Sequence, residues 1–492
     1  MTKLKMYLTN TILFVALVLL SVACGMPGLM PPEGAEADTT LTSTPDSASL
    51  TPPDGVSNRD TAETADSTPL STAGGDTTNT NTTTNVGTSD TTTTITGTDP
   101  DNDDSADIRP DTDSTDNDDI EDVSVVDPDS PVQAGQLTAG EWRDLDNWEF
   151  WNELLGMDNQ DWSRTEEHWG LYTLHRLPVV VTAPDNSPVT DAAVALYLGD
   201  ELIWEARTDN LGRAELFPGL FTDELYQHTE DDGDSDEDTE TDAEDDIYLI
   251  TVTAGEHVVQ MPVAEWESAS PVLIQLPGVV PSPNLDLMFV IDSTGSMEDE
   301  LQYLKAEMRD ILRRLEEQNN PSLAIRASVN FYRDEGDAYE VRAFPFTENA
   351  ELTIQNLTAQ YADGGGDFPE AVHLALDNAV SAHQWSPSAK SRLLFLLADA
   401  RAHRREEDIE SIHSSIRKAA ALGIRIIPVV SSGADIETEF FMRFIDVATG
   451  GTYLFLTDDS GIGAGHAPPH IGEYEPALLR DLLIRIINES VM

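Results

Sequence analysis

Asp292, Thr294 and Ser296 stand at alternate positions directly after the apolar run Leu287-Met288-Phe289-Val290-Ile291. A continuous apolar run of that length suits a strand buried on both faces of a parallel sheet. The pentad Asp292-Ser293-Thr294-Gly295-Ser296 then falls at the strand's carboxyl end, the edge where open α/β sheets bind ligands. One carboxylate and two hydroxyls are hard oxygen donors, which suit a divalent cation: Mg²⁺ first, with Mn²⁺ and Ca²⁺ as alternatives. Alone, the pentad also reads as a helix N-cap beside a glycine turn. A second run, Leu393-Leu394-Phe395-Leu396-Leu397-Ala398, ends in Asp399 and adds a second carboxylate at such an edge. Between the two lies Gly364-Gly365-Gly366-Asp367-Phe368-Pro369-Glu370, a loop that opens a helix. Asp367 there has two compatible readings. It is an oxygen donor to the same ion, directly or through water, or a helix N-cap with Pro369 in the first turn and Glu370 as the reciprocal capping residue.

No enzyme motif accompanies these residues. There is no nucleophile–base pair, phosphate loop or redox motif, and Ser296 has neither a Ser-His-Asp ordering nor a Gly-x-Ser-x-Gly elbow around it. The expected chemistry is ion binding rather than turnover, with no catalytic residues. His403 is left outside the ligand set.

The elements that must hold these oxygens alternate along the chain. Leu301, Leu304, Met308, Ile311, Leu312 and Leu315 form one helical stripe after the pentad. Ala327-Ser328-Val329-Asn330-Phe331 is strand-like, Ile412, Ile416 and Ala420 mark another helix, and Ile424-Arg425-Ile426-Ile427-Pro428-Val429-Val430 is a further strand. Pro428 argues for a place near that strand's end or at a sheet edge. Strands alternating with helices predict a doubly wound α/β sheet.

Together the pentad, the glycine loop and Asp399 resemble a von Willebrand factor type A domain with a metal-ion-dependent adhesion site, over about residues 281–492. The family motif Asp-x-Ser-x-Ser stands here as Asp292, Thr294 and Ser296, and Thr keeps the hydroxyl. The aspartate of the family's third metal loop corresponds to Asp399. Where many members carry a ligating Thr after paired glycines, this chain has Gly366 or Asp367. Phe331-Tyr332-Arg333-Asp334-Glu335-Gly336-Asp337 and Thr449-Gly450-Gly451-Thr452-Tyr453 are similar to a bacterial branch of the family. The resemblance implies a doubly wound fold and a divalent ion that completes its shell with a carboxylate from a protein partner.

Upstream, residues 135–280 read as an aromatic-rich segment followed by a small β-sandwich. Glu141-Trp142, Trp148, Phe150, Trp151, Leu154 and Leu155 have helical spacing and should pack on the domain that follows. Seven short strand-like runs with turn residues between them lie from Leu177 to Leu276. Pro188-Val189-Thr190-Asp191-Ala192-Ala193-Val194 and Thr208-Asp209 before Gly212 resemble carboxypeptidase-regulatory-like sandwiches, which implies a structural or binding module. An acidic insertion at 228–246 lacks the Gly and Glu positions of an EF-hand loop and reads as a disordered surface segment.

The chain has 492 residues, 27 Lys+Arg and 91 Asp+Glu, for a net charge of −64. That balance excludes nucleic acid as a partner, because phosphate binding needs a basic face. Residues 24–134, rich in Thr, Ser and Asp, cannot bury enough apolar surface to fold, and read as a disordered acidic tether. Residues 1–23 carry Lys3, Lys5 and an apolar run from Ile12 to Leu20, the form of a signal peptide. The only cysteine, Cys24, closes Leu20-Ser21-Val22-Ala23-Cys24, which resembles a bacterial lipoprotein signal. That resemblance implies diacylation of Cys24 and a lipid anchor in the cell envelope, with Gly25 pointing to the outer membrane rather than the inner. The expectation is a multidomain, lipid-anchored envelope protein that binds a partner through its metal site. The alternatives are a scaffolding lipoprotein with a non-functional site and a metal-dependent hydrolase.

Overall fold

The chain places a strand where the aromatic spacing predicts a helix. In the computed structural model, which describes residues 134–156, 160–222, 247–264, 266, 269–318, 323–366, 368–462, 465 and 468–492, β1 (Thr138–Trp142) comes first. Glu141 and Trp142 belong to it, and the helical spacing begins only with α1 (Trp148–Leu155) and α2 (Gln160–Trp169). The signal segment, Cys24, the tether and the acidic insertion lie outside the described residues.

Seven strands follow: β2 (Leu177–Thr182), β3 (Ala193–Leu198), β4 (Glu201–Arg207), β5 (Arg213–Leu216), β6 (Tyr248–Ala254), β7 (His257–Val263) and β8 (Val272–Gln275). They form two sheets, ordered β5-β2-β8 and β4-β3-β6-β7. Alternation drives the burial. Val179 and Val181 in the first sheet, and Val194, Leu196, Ile250 and Val252 in the second, share one core.

The rest of the chain is the alternating part: β9 (Asn284–Asp292), α3 (Glu298–Gln318), β10 (Ala324–Tyr332), β11 (Val341–Arg342), α4 (Ala350–Thr358), α5 (Val372–Asp377), β12 (Ser391–Ala398), α6 (Glu406–Leu422), β13 (Ile424–Val430), α7 (Ile436–Thr449), β14 (Tyr453–Leu456), β15 (Ala477–Leu478) and α8 (Leu479–Glu489). The sheet order is β11-β10-β9-β12-β13-β14-β1-β15. The strands β10, β9, β12, β13 and β14 run parallel. In β9 every residue from Leu285 to Asp292 is buried, as a strand covered on both faces requires.

One expectation is corrected by this topology. β1 pairs antiparallel with β14 and β15, so the boundary at 280/281 is crossed by a strand from far upstream. The reason is burial: β1 covers the open edge of β14, and Leu137 and Ala139 enter the same core as Leu285 and Leu454. The aromatic segment accordingly packs on the α/β part. Trp162 meets Phe440 of α7 at 5.4 Å and Trp169 meets Phe441 at 4.5 Å. Of the two places expected for Pro428, the structure gives the first: it lies two residues from the end of β13, an interior strand. It is tolerated there because the β14 ladder begins only at the next residue, Val429, which pairs with Leu454.

Candidate metal centre

Register brings the first two carboxylates together. Ile291 pairs with Leu397, so Asp292 ends β9 level with the end of β12, and Asp399 is the residue directly after β12. Asp292 is fully buried and Asp399 nearly so. Asp292 Oδ1 accepts the Thr294 N–H at 2.9 Å and the Thr294 hydroxyl at 2.8 Å, which turns the chain back over the strand end. Thr294 Oγ1 lies 3.3 Å from Ser296 Oγ. A single helical turn, Gly295–Met297, then leads into α3.

The glycine loop is stitched onto the pentad. Asp363 N–H donates to Ser293 O at 3.0 Å, and Gly295 N–H donates to Gly364 O at 3.1 Å. Gly365 has φ of +68°, and a Cβ there would stand 3.0 Å from both Glu370 Oε1 and Thr294 Cβ. That backbone and that crowding require glycine. Asp367 lies outside the described residues. Its expected capping partner is not a cap: α5 begins at Val372 with Ala371 as N-cap, and Glu370 lies before the helix. Glu370 instead bridges to Ala402 just beyond Asp399, and its carboxyl is buried toward the aspartates.

Electrostatics follow from crowding acids without a counter-charge. Burial and then the nearby Asp399 push Asp292 up to about 7. Burial and then Asp292 push Glu370 up to about 9, with Asp334, Asp399 and Asp337 adding to it. Burial raises Asp399 as well, against the Ser296 hydroxyl, which favours its charged form. Asp292 Oδ2, Asp399 Oδ1, Glu370 Oε2 and Glu300 Oε2 are buried without a hydrogen-bond partner. Such groups are expensive to leave unmatched. Hard oxygens with unmatched lone pairs fit a hard divalent cation.

Glu370 and Glu300 escaped the sequence reading of the site. Glu370 matched a capping box, and Glu300 lies in the first turn of α3, where an acid reads as dipole compensation. Nothing in their spacing separates those roles from placement beside Asp292 and Asp399.

A second group that could hold a metal consists of Glu335, His373 and Asp408. His373 Nε2 lies 3.4 Å from Glu335 Oε1 and 3.3 Å from Asp408 Oδ1. Here the chain supplies its own cation. Arg405 donates to Asp408 Oδ1 at 2.8 Å and Oδ2 at 2.7 Å, and to Glu335 Oε2 at 2.9 Å. Hydrogen bonds from Arg405 lower Glu335. For Asp408, burial pushes upward, but Arg405 and His373 outweigh it and the net shift is downward. His403, next to this group, bonds Asp334 Oδ1 at 2.7 Å.

No helix of the described residues is long and apolar enough to cross a membrane. No curated protein matches the chain. Among solved structures, it is similar to the conserved hypothetical protein BatB from Bacteroides thetaiotaomicron. That match has 11% identity and a TM-score of 0.30, and covers 42% of this chain and 98% of that one. The family model described as von Willebrand factor A domain matches residues 286–436, a span that includes Asp292, Thr294, Ser296, Glu370 and Asp399. Residues 286–436 of this chain are therefore a von Willebrand factor A domain.

Proposed function

We propose that this protein is a non-enzymatic binding protein of the bacterial cell envelope, anchored by lipid at Cys24 and held to a protein partner through a divalent ion. Asp292, Thr294, Ser296 and Asp399 hold the ion, with Mg²⁺ favoured by the all-oxygen donor set. Asp367 belongs to the same proposal as a further donor from the glycine loop. When bound, the ion supplies a Lewis-acidic position that prefers an anionic oxygen, so the partner offers an Asp or Glu side chain. The observation that carries the reading is the pair of unmatched buried atoms, Asp292 Oδ2 and Asp399 Oδ1, on adjacent strand ends.

The chain's own residues have separate tasks. Thr294 fixes one oxygen of Asp292 and leaves the other for the ion. Gly365 lets the loop approach Thr294 more closely than a side chain would allow. The tether and lipid place the domain away from the membrane. About 110 residues at roughly 5–6 Å × √n reach some 60 Å, and more with charge repulsion.

Calorimetric titration with Mg²⁺ tests the ion, and capture of envelope proteins with and without chelator tests the partner. Mg²⁺ at about 100 times its dissociation constant should stabilise the domain by roughly 2.7 kcal/mol. Asp292→Ala should remove that response while leaving a folded domain, because it deletes a repelling charge. Absence of Mg²⁺, Mn²⁺ and Ca²⁺ binding at millimolar ion overturns the reading. Partner capture that survives chelation overturns the metal-bridged contact alone. A Cys24→Ser protein that still partitions into detergent overturns the anchor.

A further inference from the structure

At the amino end of the parallel strands, opposite Asp292 and Asp399, lies a cleft of about 770 Å³. Its lining includes Arg143, Arg213 and Arg425, and a smaller pocket beside it adds Arg207, Lys390 and Arg392. The chain has 27 Lys+Arg against 91 Asp+Glu, so a lining in which cations equal or exceed carboxylates is far more basic than the chain as a whole.

The cations are not matched one for one within the protein. Arg207 and Arg392 share one carboxylate, Asp191, at 3.1 and 2.9 Å. Arg143 and Arg213 share another, Asp146, at 3.1 and 3.5 Å. Lys390 donates to a neutral acceptor, the Val491 carbonyl, at 3.0 Å. Glu141 and Glu489 on the cleft wall are engaged by Arg485. Arg425, on β13, makes no ion pair or hydrogen bond among the described residues. Burial and the nearby Arg143, Arg392 and Arg213 disfavour its charge, and Asp209 favours it. Oδ1 of Asp209 already accepts the N–H groups of Leu211 and Arg213, each at 2.8 Å. The two linings together hold seven cations and six carboxylates, and one of the six, Glu215, is already held by Arg176 from outside them.

A guanidinium cannot shed its proton to relieve burial, so it needs an anion or water. Its planar fork matches phosphate and carboxylate oxygens bidentately. The cleft volume is that of a small-molecule site. The net charge of −64 opposes approach to nucleic acid or an anionic membrane surface. We propose that this cleft binds a soluble small molecule carrying two or more anionic oxygens, phosphate or carboxylate, clamped by Arg425, Arg143 and Arg213.

The test is calorimetric titration of the full chain at low ionic strength with pyrophosphate and, separately, with citrate. Saturable binding of either is expected, and which one binds names the acid group. Arg425→Gln should weaken it about tenfold or more, since charged hydrogen bonds are lost. Arg213→Gln, at the more exposed rim, should weaken it too without threatening the fold. Arg313→Gln removes an equal charge from an exposed position on α3 and should leave binding unchanged. Failure of both anions to bind at millimolar concentration overturns the proposal. So does an Arg313→Gln loss equal to that of Arg425→Gln, which would reduce the effect to net charge.

Discussion

Asp292, Asp399 and Glu370 crowd the carboxyl edge of the sheet, while Glu335 and Asp408 crowd the neighbourhood of His373, and the two acid groups titrate in opposite directions. The first group is raised, Asp292 to about 7 and Glu370 to about 9. The second is lowered. Burial does not separate Asp408 from Asp399, which are equally enclosed, although Glu335 is partly exposed. The difference is Arg405, whose guanidinium lies across both acids of the second group. The same device recurs in the core, where Arg443 pairs with Asp144 at 2.6 Å and Glu439 at 2.9 Å, all three buried. An acid group with its own guanidinium is a finished structural element. The sheet-edge group, without such a partner and with oxygens unmatched, is the one we propose takes a cation from solution.

The largest effect should come from removing a resident cation. Arg443→Met strands a fully buried Asp144, and breaking such a pair costs about 3–5 kcal/mol. Chemical denaturation measures it, and a loss under about 1 kcal/mol would mean that the pairing does not hold the core.

The next effect is the pH dependence of the metal-free protein. A carboxyl raised in the folded state binds more protons there than in the unfolded chain, so stability falls as pH rises through the interval. For Asp292 the fall runs from the ordinary carboxylate range to about 7, and for Glu370 on to about 9. His373 is lowered by burial and works in the other direction, adding stability as pH rises from its lowered value up to its unfolded one. The comparison is therefore melting curves with and without Mg²⁺ from pH 4 to about 9, a range set by those shifts. The gap between the curves should widen as pH rises. A constant gap would show that the edge carboxylates do not meet the ion.

The smallest effect is at the glycine loop. Gly365→Ala should cost about 1–2 kcal/mol for its left-handed backbone and should also weaken Mg²⁺ binding, because the new methyl meets Thr294 and Glu370. Gly461→Ala, at φ of +65° with open space around its Cβ, should carry the backbone cost alone. Equal Mg²⁺ affinity in both variants would show that the loop does not border the ion.

Much of the alternating part was legible because its signals are local. The apolar run before Asp292 announces a strand covered on both faces, and the stripe from Leu301 to Leu315 announces the helix after it. The pentad and Asp399 could be placed at strand ends because each directly follows such a run. Glu370 could not, because Pro369 and the glycines before it match a helix start as well as they match a loop folded over Thr294. Trp142 was misread for a related reason. Its neighbours Trp148 and Trp151 have helical spacing, but Trp142 answers to the edge of β14, more than 300 residues away.

The sequence alone determined the strand and helix signals, the donor types at the sheet edge and the excess of acid over base. These depend on residues close together in the chain and on composition. Only the tertiary structure decided which acids are matched. Asp408 receives Arg405 from three residues away, but Asp144 receives Arg443 from across the chain, and Arg425 is set among arginines drawn from several elements. Charge balance is a sum over neighbours in space, and distance along the chain does not supply that sum.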